Sequence, residues 1–433
     1  MSHRPHTAIS RGALAPRTLS RKHKRRMVRS CALLLAPLSV GLAACGTGDS
    51  SDDPLASAPY DATDAVSVSA AADSTDVDPD KPLKVTAEKG DTLTDVFATD
   101  ASGRVVPGEL SADQKSWHST SPLAAGARYT LQVSTENPDG APGRRSLRFE
   151  TKAAAAKHLD VKLGPSNGTY GVGMPLTAEL SHPVKKPAQR ELVERALRVD
   201  SQPHVEGSWH WVNSKELHYR PRSYWPAHAS ITLRSSLKGL KVREGLYGGK
   251  SEPVRMKTGD RIVAVADASS LQMTVKKNGK TIRSVPITTG KSGYETRNGI
   301  KVILTKEPYV RMTSASIGAG DFYDLGVHWA TRLTNSGEYV HGAPWSVGSQ
   351  GVSNTSHGCT GMSSSNAKWF FDLVNEGDIV KHVNTSGETM APFGNGFGDW
   401  NMDWKEWRAG SAVNSGKHVG SGPADAARLR PQV

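Results

Sequence analysis

Apolar and polar residues alternate in short runs over most of this chain, and stretches with helical periodicity are few. Leu83 with Val85, Tyr129 with Leu131 and Val133, and Leu147 with Phe149 are each interleaved with polar neighbours, as strands with one buried face are. They predict a small β-sandwich over residues 81–155. A second β-rich unit is predicted over 156–258, with a short helix at 189–197 inserted among its strands. Its Trp209, Trp211, Tyr219 and Trp225 read as core or inter-domain packing. A third unit, 259–385, opens with a strand at 262–265. A hairpin follows, 271–275 and 281–287, around an Asn278-Gly279 type I′ turn. Further strands are expected at 301–305 and 337–340. A helix is expected at 366–375, capped by one of Ser363, Ser364 or Ser365 and stopped at Gly377, and a last strand at 377–383. In the extension 386–433, Trp400, Trp404 and Trp407 are spaced to share one helical face and to pack back onto the third unit. The fold class is mainly β.

Charge changes the picture at the N-terminus. The formal charge of +12 suggests a nucleic-acid partner until it is located. Residues 1–44 hold nine Lys or Arg and no acid, which leaves +3 on the rest and removes that reading. The basic stretch is followed by an apolar run, 31–42, too short for a permanent membrane helix and suited to a signal-peptide core. Leu42-Ala43-Ala44-Cys45 followed by Gly46 resembles a lipobox, in which the cysteine is diacylated and becomes the mature N-terminus. The chain is therefore expected to be lipid-anchored at Cys45 to the outer face of the cell membrane. Met1 and Met27 are both possible starts, and export by the general or the twin-arginine route stays open at Arg25-Arg26. Between Gly46 and Asp80 there are nine Asp and no Lys or Arg. Residues 45–80 are expected to be a disordered acidic tether, spanning roughly 35 Å as a coil.

Cysteine usage narrows the chemistry. Cys31 would leave with the leader and Cys45 would carry lipid, so Cys359 would be the sole thiol of the mature chain, with no internal disulfide. An unpaired thiol in an oxidising compartment needs a reason. A thiol attacks carbonyl carbon as thiolate, and a neighbouring imidazole can hold it so as an ion pair. His357, two residues before, and His341, farther back, are both candidates that spacing alone does not rank. Two His and one Cys lack a further ligand at metal-site spacing, so no metal is expected.

His341, fourteen residues, and then Ser356-His357-Gly358-Cys359 resembles the active-site signature of the L,D-transpeptidase (YkuD-type) catalytic domain. Residues 123–129, ending in Tyr129, look like the tyrosine corner of an immunoglobulin-like sandwich. Residues 220–226, with Trp225, resemble the second immunoglobulin-like module that precedes actinobacterial transpeptidase domains. The resemblance implies two such modules, a catalytic domain with a short helix after the cysteine, and a Trp-rich extension. It implies Cys359 as nucleophile and His341 as general base and acid, its ring oriented by the carbonyl of Gly342. His357, Gly358 and Cys359 would supply the tight turn and backbone N–H groups facing the oxyanion, with Ser356 and His357 shaping the site. Tyr323, Ser336 and Gly337 stand where family members contact the substrate stem, and Met312 and Trp345 would line the donor channel. At Gly361, a further substrate-side position, the family usually has Arg or Asn, so substrate preference is expected to differ. The implied activity joins third residues of peptidoglycan stem peptides through a thioester, without a cofactor, and carbapenems would acylate the same thiol. Alternatives are an L,D-carboxypeptidase, in which water resolves the thioester, and a non-catalytic wall-binding lipoprotein.

Overall fold

The computed structural model describes residues 58–154, 156–314 and 324–415. The predicted leader, Cys45 and Tyr323 lie outside these residues. No helix among them is long and apolar enough to cross a membrane.

The first unit packs two four-stranded sheets face to face. One orders the strands Tyr60–Asp61, Pro142–Glu150, Arg128–Glu136 and Thr92–Asp100; the other orders Val66–Val68, Lys84–Ala87, Ser116–Ser119 and Gly108–Leu110. Alternation along Arg128–Glu136 sends Tyr129, Leu131 and Val133 inward, all fully buried. The Tyr129 hydroxyl accepts the Ala124 N–H at 2.6 Å, which is the tyrosine-corner bond that the sequence suggested. The expected tether is corrected here. Residues 58–80 are not a loose coil but the first part of this sandwich, with Ala62, Ala65, Val66 and Ala70 buried. Their aspartates serve the backbone: Asp61 accepts from the Thr63 N–H, and Asp78 from the Asp80 N–H. Small apolar residues among many acids gave too weak a composition signal.

The second unit is also a sandwich. Its sheets order Val161–Gly164, Leu176–Leu180, Glu216–Pro221 and Gly207–Trp211, and Gly168–Tyr170, Val254–Thr258, Ser230–Ser235 and Leu197–Gln202. The helix Pro187–Ala196 begins on a proline that suits a first turn. Trp209, Trp211 and Trp225 lie in the core.

In the third unit, a five-stranded sheet orders Lys280–Pro286, Gln272–Lys277, Ile262–Asp267, Ile379–Val383 and Gly299–Val302. Positive φ at Asn278 and Gly279 makes the hairpin turn as expected. The strand expected at 301–305 is corrected. Pairing with Ile379–Val383 stops at Val302, and Thr305 starts a separate nine-residue strand in another sheet. That sheet orders Thr305–Thr313, Asp324–Arg332, Tyr339–Gly342 and Thr360–Met362. The helix Ser364–Leu373 starts at Ser363, whose Oγ accepts the Asn366 N–H, and buries Ala367 and Phe370 between the sheets' apolar faces.

The tryptophans of the extension do not share one helical face. Trp400 sits in the single turn Asp399–Asn401, while Trp404 and Trp407 sit in the helix Trp404–Ala409. Together their rings enclose the Arg220 guanidinium of the second sandwich, at 4.9, 5.5 and 4.4 Å. The extension also does not pack on the catalytic unit alone. Trp407 Nε1 donates to Ser208 O and Trp400 Nε1 to Gly173 O, while Asn401 and Asn395 bond Ile300 and Ser336. It ties the second sandwich to the third unit.

Candidate active site

Cys359 stands at the mouth of a parallel strand pair. Tyr339–Gly342 runs beside Thr360–Met362 with His341 opposite Gly361, so the cysteine and the histidine arrive at the same edge. On the other side, Thr288 and Gly361 exchange backbone hydrogen bonds at 2.9 Å. The loop leading to Cys359 is pinned to the same neighbour. Asn354 Oδ1 accepts from the Thr289 N–H and hydroxyl, and Thr288 Oγ1 accepts the Thr355 N–H.

The approach to the sulfur is a tight turn. Ser356 Oγ donates to Cys359 O at 2.6 Å and accepts the Gly358 N–H at 3.2 Å. Gly358 has φ +111°, a conformation that side chains rarely tolerate, and its carbonyl accepts the buried Thr296 hydroxyl at 2.8 Å. The expectation that the Gly358 N–H faces the oxyanion is therefore corrected: Ser356 already holds it.

His341 is 5% exposed. Its Nδ1 lies 2.9 Å from Gly342 O, and a carbonyl only accepts, so Nδ1 carries the proton and Nε2 keeps its lone pair. Burial lowers the imidazole's pKa, with the Gly342 bond opposing. The ring is neutral at pH 7.

The Cys359 thiol is half-buried and lies 3.5 Å from Gly337 O, a bond in which the S–H donates. Burial pushes the thiol up to about 12 and the Glu338 carboxylate adds to the rise. The Tyr339 N–H and the Lys301 ammonium pull the other way. The resting pair is therefore neutral thiol and neutral imidazole, not the ion pair anticipated from the sequence, because burial penalises both charges at once.

Cys359, His341 and His357 line one cleft of 360 Å³ with Met312, Trp345 and Gly361. Leu325 and Val327 add apolar wall, and Met312, Leu325 and Cys359 belong to one small apolar cluster. Trp345 is 51% exposed, with its ring 6.0 Å from that of His341. His357 sits edge-on to Tyr294 at 4.6 Å. Gly361 is hemmed in, since a Cβ there would stand 3.1 Å from both Ala343 Cβ and Thr288 Cγ2. A side chain here would require those neighbours to give by a few tenths of an ångström. Gly337 reaches the sulfur. Ser336 does not line the cleft; its hydroxyl takes a bond from Asn395 in the extension, and Arg297 and Thr334 lie within 3.3 and 3.2 Å. A larger groove, 1140 Å³, runs between the sandwiches. It contains neither a thiol nor a histidine, so volume alone does not mark the reactive site.

Sequence reasoning missed what lies behind the sulfur. Lys301, Glu338, His382 and Thr360 form a buried polar chain there. A polar residue among apolar ones, such as His382 in the strand Ile379–Val383, was the one signal available.

Two family models match the chain: a bacterial Ig domain over residues 74–241 and an L,D-transpeptidase catalytic domain over 261–381. L,D-transpeptidase 2 of Mycobacterium tuberculosis is 36% identical over 337 residues, covering 77% of this chain and 81% of that protein. L,D-transpeptidase 5 of the same species is 31% identical over 347 residues, covering 78% and 75%. Among solved structures, that of L,D-transpeptidase 3 from Mycobacterium tuberculosis matches with 30% identity and a TM-score of 0.43, over 51% of this chain and 97% of that one. With a relative so similar over most of its length, this chain belongs to the L,D-transpeptidase family.

Proposed function

We propose that the protein joins peptidoglycan stem peptides by acyl transfer through Cys359, with His341 carrying the protons. The observation that carries the reading is the His341 ring, locked by Gly342 O with its free Nε2 lone pair in the cleft that Cys359 lines. When a tetrapeptide stem enters, it displaces water and brings its third-residue carbonyl to the sulfur. The thiol proton passes to His341 Nε2 as Sγ attacks the carbonyl carbon, and a tetrahedral oxyanion forms. The Cys359 N–H is the backbone donor assigned to it, since the Gly358 N–H is engaged. The C–N bond then breaks, and the imidazolium returns its proton to the departing D-alanine amine. The amine of a second stem loses a proton to His341, attacks the thioester and expels the sulfur, which is reprotonated. Third residue is thereby joined to third residue.

A neutral resting pair fits this order of events. The thiol stays protonated until a substrate is in place, which limits oxidation of a lone cysteine outside the cell. Gly342, Ser356, His357 and Gly358 shape the turn and the ring orientation; Met312, Trp345, Gly337, Gly361 and Tyr323 bind the donor stem. Ser336 supports that wall through Asn395. The protein works outside the cytoplasm, with Cys45 lipidated and anchoring it to the outer face of the membrane.

Incubation with purified tetrapeptide muropeptides tests the assignment. Crosslinked dimers with release of D-alanine are expected, and Cys359→Ala should abolish them while leaving the fold intact. Tripeptide monomers as the main product would make the protein an L,D-carboxypeptidase. Unchanged turnover in Cys359→Ala would remove the thiol from the mechanism.

A further inference from the structure

Behind Cys359 lies a chain of buried polar groups that the reaction above does not use. Lys301, on the strand Gly299–Val302, is fully buried, and its ammonium has three partners. It pairs with Glu338 Oε2 at 2.5 Å, donates to Arg297 O at 2.7 Å and reaches His382 Nδ1 at 3.3 Å. Since an ammonium only donates, His382 Nδ1 is an acceptor and its Nε2 carries the proton. Nε2 then donates to Thr360 Oγ1 at 2.7 Å. Burial and the Lys301 charge keep His382 neutral. Glu338 also pairs with the Arg297 guanidinium at 2.9 Å.

The two ends of this chain hold the sulfur. Glu338 lies between Gly337, whose carbonyl takes the thiol hydrogen, and Tyr339, whose N–H faces the sulfur. Thr360 immediately follows Cys359. One ammonium thus ties together both backbone segments that cradle Sγ. It also places a positive charge opposite the Glu338 carboxylate, which would otherwise oppose ionisation of the thiol.

We propose that Lys301, paired with Glu338 and linked through His382 to Thr360, is a positioning residue that sets both the placement and the ease of ionisation of the Cys359 thiol. This rests on the reading of Cys359 as the nucleophile. Around the sulfur, the other titratable or charged groups are His341 on its own strand, His357 and Tyr294 on the loops, Arg297 beside Glu338, and Tyr339. None of these sits at the junction of the two cradling segments. The ion pair costs stability to bury, and its position behind the nucleophile is the return for that cost.

The test is the alkylation rate of Cys359 by iodoacetamide at pH 8, which needs no substrate, with melting temperature as the check on folding. Lys301→Met leaves the Glu338 charge facing the sulfur, and alkylation should slow about tenfold, the equivalent of about one pKa unit. Glu338→Gln removes that charge, and alkylation should quicken at least about threefold. The double variant Lys301→Met/Glu338→Gln should fall between the two. A role in folding alone would move both single variants the same way or leave both within twofold of wild type, and either result overturns the proposal. If the single variants do not fold, Lys301→Gln decides: slowing of about tenfold supports the proposal, and a rate within twofold of wild type overturns it. Because the readout is alkylation, a wild-type thiol that reacts while tetrapeptides stay unconverted would count against the proposed function and leave this inference standing.

Discussion

The joint between the second sandwich and the extension makes stability depend on pH, through His218. This ring is buried, 5% exposed, in a site where Nδ1 meets Asp399 Oδ1 at 2.7 Å and Nε2 meets Glu216 Oε1 at 3.1 Å. Burial alone would lower its pKa. The charge and hydrogen bond of the fully buried Asp399, with help from Glu216, outweigh burial and raise it to about 9 from an ordinary 6.5. A group whose pKa is raised by folding stabilises the fold below its unfolded pKa and loses that effect as pH climbs through the folded one. The contribution is therefore full below pH 6.5 and gone above pH 9. Two and a half units correspond to about 3 kcal/mol. Asp399→Asn removes the partner charge, so its His218 should titrate near or below its ordinary value. The assay is urea unfolding followed by tryptophan fluorescence at pH 6, 7.5 and 9; Trp400, Trp404 and Trp407 surround Arg220 at this joint and report its opening. Wild type should lose about 3 kcal/mol across the range, and the variant should start weaker and stay nearly flat. Parallel losses in both proteins would refute the assignment of the pH dependence to this pair.

Three further outcomes are expected. The alkylation rate of Cys359 should rise about tenfold per pH unit from pH 6 to 9 with no plateau near pH 6, because burial keeps the thiol neutral; a pH-independent rate below 7 would show a resting ion pair instead. Ser356→Ala removes one bond to Cys359 O and one from the Gly358 N–H, and should cost about 1–3 kcal/mol in transition-state stabilisation, read as a fall in kcat/KM with the melting temperature little changed. Tyr129→Phe leaves the Ala124 N–H without its buried acceptor, and should lower stability by about 1–3 kcal/mol, read by chemical denaturation, without affecting turnover.

What was legible in the sequence follows physical range. Strands set by strict alternation, such as the one around Tyr129, and the helix start capped by Ser363 are local facts and stand where expected; that helix ends at Leu373 with Val374 as its cap, short of the Gly377 expected to stop it. His341 and Cys359 stood out because their spacing with Ser356, His357 and Gly358 resembles the family's signature; spacing by itself left His341 and His357 unranked, and the fold brings both to the cleft that Cys359 lines. Residues 58–80 were misread because burying Ala62, Ala65 and Ala70 depends on pairing with the strands Pro142–Glu150 and Lys84–Ala87, which composition does not contain. The tryptophans of the extension were misplaced for a similar reason: helical spacing marked Trp400, Trp404 and Trp407, but their common partner is Arg220, far off in sequence. Charge states were the least legible. An imidazole beside a thiol suggests an ion pair in water, and only the burial of both His341 and Cys359 reverses that. Nothing local in the sequence marks Lys301 and Glu338 as a pair that the fold buries together.

The account rests on one covalent bond, and mass spectrometry can look for it directly. Protein mixed with a tetrapeptide stem, quenched in acid within the first turnovers and digested, should yield the peptide containing Cys359 carrying the tripeptide acyl group, with one equivalent of D-alanine released. Under the same conditions Cys359→Ala should carry nothing, and a variant lacking the His341 imidazole should accumulate the adduct far more slowly. An unmodified Cys359 in protein that is visibly crosslinking stems would contradict the mechanism at its first step.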